Sequence, residues 1–271
     1  MPAPDAPRLG EAAPAPQAAP WHEGRIAVAA ALWGDGFILP GGPDEVLRLA
    51  RPFGLSEAAS VLLLGAGPGG AAVTIAAKLG PWVTACEADP VLVAAANALA
   101  QRHGQAKRAQ TESWMPQAPV FRAGYYHHAL AIEALRGADP APVLRAMARA
   151  VRPGGQMMVL DLVAGPAGPP AGRGWVALER RSGPPPDEAA ITREMNRLGL
   201  DIRVVEDVSA RHATQVLAGW RDAVGWLKEG SARPMRRDAA LLVGEAELWL
   251  TRLRLMREGR LRLVRWHAIG R

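Results

Sequence analysis

A short apolar run, Val61-Leu62-Leu63-Leu64, hands over to Gly65-Ala66-Gly67-Pro68-Gly69-Gly70 and then to a helix-like stretch over 71–79. Glycine permits positive φ and lets the backbone approach a ligand closely, and the start of a helix presents unpaired N–H groups. The turn is therefore suited to hold a nucleotide-like ligand. Glu87 follows Gly65 by 22 residues at the end of the next apolar run, where a carboxylate can accept hydrogen bonds from both hydroxyls of a ribose. The spacing Gly65-x-Gly67-x-x-Gly70 also satisfies the dinucleotide fingerprint, so these residues alone leave NAD and S-adenosylmethionine both open.

The elements that must position this chemistry alternate between strand and helix. Strands are expected at 61–64, 82–86, 107–112, 125–132 and 156–162, with helices at 71–79, 90–102 and 140–151; Asp89 is placed to cap the second of these helices. Continuous apolar strands in this rhythm predict a doubly wound, mostly parallel sheet buried on both faces. The turn Pro153-Gly154-Gly155 precedes strand five. After that strand, seven of the ten residues from Gly165 to Gly174 are glycine or proline, which predicts a mobile loop. Helices at 187–198, 210–227 and 239–257 and strands at 201–206 and 261–269 then bring the sheet to seven strands. Residues 1–20, an Ala/Pro mixture without periodicity, are expected to be a disordered tail. Residues 21–50 form an N-terminal cap over the cofactor and 51–271 the main domain.

Composition narrows the classes. Almost half of the 271 residues are apolar, yet no run is long enough to predict a membrane span. The lone cysteine, Cys86, and an N-terminus without a basic start or apolar core point to a cytoplasmic protein. No His, Cys and carboxylate cluster has metal-ligand spacing, so no metal is expected. Neither a nucleophile elbow nor a phosphate loop of the Gly-Lys-Ser/Thr type is present. The formal charge of +6 is concentrated at the C-terminal end, where seven arginines and a single acid lie between Leu250 and Arg271. Such a region could attract an anionic membrane surface or nucleic acid, although a solvated arginine face is the plainer reading.

Three motifs in order, 61–70, Ala85-Cys86-Glu87-Ala88-Asp89, and Ala148-Arg149-Ala150-Val151-Arg152-Pro153-Gly154-Gly155, resemble the class I S-adenosylmethionine-dependent methyltransferases. The Arg-Pro-Gly-Gly turn before strand five is a habit of that family and not of dehydrogenases. A narrower likeness is to phosphoethanolamine N-methyltransferases and related small-molecule enzymes. It rests on Trp33-Gly34-Asp35-Gly36-Phe37-Ile38-Leu39-Pro40-Gly41-Gly42, similar to a segment that folds over the cofactor there, and on the ending from Glu247 to Ile269. This chain departs from the pattern at Leu64 and at Tyr126-His127, where acidic residues are usual, and at Ala29, near which those enzymes carry a tyrosine.

The resemblance implies a Rossmann-like fold with helical caps, S-adenosylmethionine as cofactor, and a small-molecule or lipid-headgroup acceptor. Gly65, Ala66, Gly67, Gly69, Gly70, Glu87 and Ala88 would hold the cofactor, with Gly41 and Gly42 in the covering segment. Glu112 could face the adenine amine and Trp33 could stack on the base. An amine or hydroxyl acceptor would be helped by a general base at the carboxyl ends of strands four and five, where ligands collect in open α/β sheets. Asp161 and Glu133 meet that condition. His127 and His128, adjacent on one strand, must point apart and are expected to be packed or hydrogen-bonded. Nucleic acid is disfavoured, since no Asn/Asp-Pro-Pro-Tyr type motif follows strand four. Two alternatives stay open: a methyltransferase-like protein that binds the cofactor without transfer, and an NAD-dependent oxidoreductase.

Overall fold

Val61–Leu64 lies at the centre of the molecule without solvent contact. Its side chains alternate between two cores, Leu63 in one and Leu62 and Leu64 in the other, as a strand covered on both faces requires. The computed structural model describes residues 20–136, 139–170, 174–229 and 239–270. The expected disordered tail thus lies, apart from Pro20, outside the described residues.

Seven strands form one sheet: β1 (Ser60–Leu64), β2 (Trp82–Glu87), β3 (Ala109–Ser113), β4 (Tyr126–Ile132), β5 (Val151–Ala164), β6 (Asp201–Asp207) and β7 (Leu261–Ile269). Their order is β3-β2-β1-β4-β5-β7-β6. The first five run parallel, and β7 is antiparallel to both β5 and β6. The mostly parallel seven-stranded sheet read from the sequence is therefore present. Its strand order reverses beside β1, so the carboxyl ends of β1 and β4 flank a crevice.

One face packs under α1 (Glu23–Trp33), α2 (Gly42–Ala50), α3 (Gly70–Leu79) and, beyond α4 (Pro90–Arg102), the two long helices α8 (Ser209–Glu229) and α9 (Ala239–Arg257). The other packs under α5 (Ala141–Ala150) and α7 (Glu188–Arg197), while the short α6 (Gly174–Leu178) joins the first face through Trp175 and Leu178. Asp89 caps α4 as expected, its side chain accepting from Val91 N at 3.0 Å. Strand five starts earlier than 156 because Val151 already pairs with Tyr126 across an irregularity in the ladder, and it runs to Ala164 because β7 pairs along it to that residue. Within the stretch read as a mobile loop, 165–170 is turned and bridged between Gly165 and Gly168, and 171–173 lie outside the described residues.

Among the described residues no helix is long and apolar enough to cross a membrane, and no group of three ligating side chains could hold a metal. Three of the C-terminal arginines are held in ion pairs. Arg252 and Arg265 make ion pairs at 2.6 Å with Glu179 and Glu206 respectively, and Arg262 pairs with Glu188 at 2.8 Å.

Candidate cofactor and acceptor site

The glycine turn owes its shape to the residues around it. Gly65, Gly67 and Gly69 take φ of 75°, 55° and 97°. A Cβ at Gly65 would collide with the Ile132 carbonyl oxygen, so β1 and β4 can approach this closely only with glycine there. Gly65 N and Ala66 N donate to the Cys86 carbonyl at 3.1 and 3.2 Å, tying the turn to the end of β2.

That contact brings Glu87 beside the turn. Its Oε2 accepts from Gly67 N at 2.8 Å, and its Oε1 accepts from Ala88 N at 2.7 Å and Asp89 N at 3.2 Å. Three backbone donors fix the carboxylate toward a cleft of about 300 Å³ bounded by Gly65, Ala88, Ile38, Leu39, Ala134 and Trp114. Each carboxylate oxygen has two lone pairs, so acceptor capacity remains for a ligand. Of the residues expected to hold the cofactor, Gly65, Glu87 and Ala88 border this cleft, and Gly67 is joined to it through its hydrogen bond to Glu87.

The far side of the turn is closed. Gly70 N donates to the Gly36 carbonyl at 2.8 Å, and a Cβ on Gly70 would strike both that carbonyl and the Phe37 ring. Gly69 sits equally tight against Ala96 of α4. Gly69 and Gly70, expected to hold the cofactor, thus serve close backbone packing. The segment 36–40 does cover the site, with Ile38 and Leu39 lining the cleft and a second, smaller pocket of about 50 Å³ behind them. Gly42 borders that smaller pocket, and Gly41 caps α2 in a left-handed conformation.

The two carboxylates expected as general bases are framework instead. Asp161 is fully buried; its Oδ2 accepts from Leu135 N at 2.7 Å and its Oδ1 from Leu162 N and Arg181 Nη2, both at 2.8 Å. It orders the loop after β4 and does not border the cleft. Glu133 does border it, at a φ of 46° that a non-glycine residue rarely adopts. Its two oxygens accept from Arg252 Nη1 and Nη2 at 2.8 and 2.7 Å, and the same guanidinium holds Glu179 at 2.6 and 2.7 Å. Burial by itself would raise the Glu133 pKa, but the Arg252 charge and hydrogen bonds override it and hold the acid at about 2. A carboxylate of that strength does not take a proton near neutral pH.

Two further expectations are corrected. Trp33 is buried under α8 and α9, edge-to-face with Trp249 at 4.8 Å, so it stacks in the core and not on a ligand. Glu112 is exposed and not part of the cleft wall, where Trp114, just past β3, stands instead. His127 and His128 lie at the opposite end of β4. His127 contacts Ser60 at 3.0 Å and Arg152 at 2.8 Å, and His128 stacks on Phe53 at 4.8 Å.

His212 on α8 was not singled out by its sequence context, yet it lines the smaller pocket and its Nε2 is buried without a partner. Burial first, and the nearby Arg252 second, lower its pKa to about 4 against the opposing pull of Glu133, Glu179 and Glu45. His128, half-buried, is also lowered to about 4, by burial and by His127 and His267. Both are neutral in the fold at pH values where the unfolded chain, titrating near 6.5, already binds protons. Stability is therefore expected to be flat above pH 6.5 and to fall as pH drops from 6.5 to about 4. His212 alone would contribute roughly 2 kcal/mol of that loss by pH 5. Urea unfolding at pH 7.5 and 5.0 tests this, with His212→Phe expected to remove a measurable share of the difference.

Residues 61–155 match the family model described as a methyltransferase domain. No curated protein sequence matches the chain. Among solved structures, phosphoethanolamine N-methyltransferase 2 of Haemonchus contortus in complex with S-adenosylmethionine is similar, with a TM-score of 0.78 and 18% identity over 90% of this chain. The chain spans 56% of that protein's length. Geranyl diphosphate C-methyltransferase from Streptomyces coelicolor A3(2), with Mg²⁺, geranyl diphosphate and S-adenosylhomocysteine, aligns at a TM-score of 0.66 and 15% identity over 84% of this chain and 80% of that one. The [4+2]-cyclase SpnF aligns at 0.69 and 17% identity, over 93% of this chain and 98% of its own. The chain thus has the Rossmann-like fold of these solved methyltransferases, and residues 61–155 within it match a methyltransferase-domain model.

Proposed function

We propose that this chain binds S-adenosylmethionine in the cleft beside Glu87 and transfers its methyl group to a small molecule or lipid headgroup. The observation that carries the choice of cofactor is the closed start of α3. A dinucleotide would need the amides there for its pyrophosphate. Here Gly70 N is spent on Gly36, Gly67 N on Glu87, and Phe37 stands over the turn. An adenosine needs less: an acceptor for the ribose hydroxyls, which Glu87 supplies, and a flat apolar wall for the base, which Trp114 supplies.

When bound, the cofactor supplies an activated methyl group, so the chain's part is to bind, orient and exclude water. Gly65 and Gly67 let the turn close against Ile132 and Ile38, Glu87 holds the sugar, and Ile38 and Leu39 cover it. A second reading, binding without transfer, is favoured by one observation: Asp161 in β5 and Glu133 just past β4, the two carboxylates that could have served as general bases, are locked in ion pairs. The fold also serves a protein described as a [4+2]-cyclase, so fold alone does not fix the reaction.

Calorimetry with S-adenosylmethionine, S-adenosylhomocysteine and NAD separates the cofactors. Binding of the first two below millimolar concentration with none of NAD is expected, and the reverse pattern overturns the proposal. Release of S-adenosylhomocysteine on mixing with amines, phosphobases and hydroxylated acceptors then distinguishes transfer from binding alone.

A further inference from the structure

The smaller pocket behind Ile38 and Leu39 is walled by apolar side chains, among them Val46, Leu49, Leu160, Val208 and Leu263. Its charged neighbours are already occupied. Glu45 accepts from Arg211 at 3.2 Å and Gln215 at 2.9 Å, Arg211 also lies 3.7 Å from Glu206, and Glu133 is held by Arg252. Among the described residues lining this pocket, His212 Nε2 is the one buried side-chain polar atom without a partner. An unpaired buried ring nitrogen costs free energy that a ligand would recover.

We infer that this pocket takes the hydroxyl-bearing end of an uncharged, slender, apolar methyl acceptor, with the hydroxyl hydrogen-bonded to His212 Nε2. The inference rests on the reading of the adjoining cleft as the cofactor site, with which the pocket shares Gly65, Ile132 and Glu133. A hydroxyl is both donor and acceptor, so it satisfies Nε2 in either tautomer of the neutral ring. A phosphate or carboxylate would be buried without a free cation, because Arg211 and Arg252 are both neutralised by carboxylates. An ammonium would meet carboxylates that are already paired. Size agrees: about 50 Å³ admits a hydroxyl and a few carbons while the rest of the molecule stays in the cleft.

The test uses the full chain with S-adenosylhomocysteine present and 1-butanol as probe, followed by the ring ¹⁵N signals of His212 and by calorimetry. Titration is expected to shift those signals, and His212→Phe to raise the Kd for 1-butanol about 3- to 10-fold. Phosphoethanolamine is expected neither to shift them nor to displace the alcohol. Silent His212 signals, an unchanged Kd in the variant, or displacement by phosphoethanolamine each overturn the inference. Binding of S-adenosylhomocysteine in the same samples is read separately. Its loss in the wild type defeats the cofactor reading, whereas its presence beside a silent His212 defeats the acceptor assignment alone. Should His212→Phe fail to fold, the wild-type titration still decides.

Discussion

Replacement of Arg252 by methionine is expected to destabilise the fold by about 3–5 kcal/mol, the range found when one member of a buried ion pair is removed. Arg252 is almost without solvent contact and makes four hydrogen bonds, two to Glu133 and two to Glu179. Without it two carboxylates stay buried, and each must either carry an unpaired charge or take up a proton. Burial disfavours the charged arginine, but the two carboxylates more than compensate and raise its pKa above the ordinary value. The loss should show as a lowered urea midpoint with little change in slope at pH 7.5. The triple change Glu133→Gln, Glu179→Gln, Arg252→Met separates charge from shape: with no charge left to strand, it is expected to recover most of the stability. A single variant that loses less than about 1 kcal/mol would show that the network is not what holds the loop after β4.

The parts of this molecule that the sequence displays are the ones specified by neighbours in the chain. The apolar run before Gly65, the positive-φ glycines and the carboxylate ending β2 all lie within one βαβ unit, and their placement follows from local periodicity and turn chemistry. The Arg-Pro-Gly-Gly segment announces the start of β5 for the same reason. Glu133 does follow the end of β4, whereas Asp161 lies within β5, which runs on to Ala164. Their chemical state was not legible, because it depends on Arg181 and on Arg252, whose α9 position is 119 residues away from Glu133. A carboxylate at a strand end reads the same whether it awaits a substrate or grips a distant guanidinium. Trp33 misled in the opposite sense: it adjoins the covering segment in sequence, but α1 turns its ring inward onto Trp249 of α9. Trp114 carried a faint signal, standing just past the end of β3, whereas His212 lies inside α8 with none, and only the closing of the sheet brings them to the site.

Glu87→Ala is expected to weaken S-adenosylhomocysteine binding by roughly 10- to 10²-fold. The three backbone donors leave the carboxylate one acceptor site for a ribose hydroxyl, and a hydrogen bond to an ionised acceptor contributes about 1.5–3 kcal/mol. Glu87→Gln keeps one carbonyl acceptor and loses the charge, so a smaller loss, about fivefold, is expected from the same estimate. The difficulty is that Glu87 also accepts from Gly67 N, Ala88 N and Asp89 N, so a weakened ligand could reflect a loosened turn and not a lost contact. Adenine alone resolves this. It has no ribose, and if the turn and the Trp114 wall survive, its affinity should be the same in the wild type and both variants. A parallel loss for adenine would trace the effect to the turn, and a change below about threefold for S-adenosylhomocysteine would remove Glu87 from the site. If adenine binding holds while the nucleoside's falls, the carboxylate's role is contact with the sugar, and the backbone donors that hold it are there to keep it aimed at the cleft before any ligand arrives.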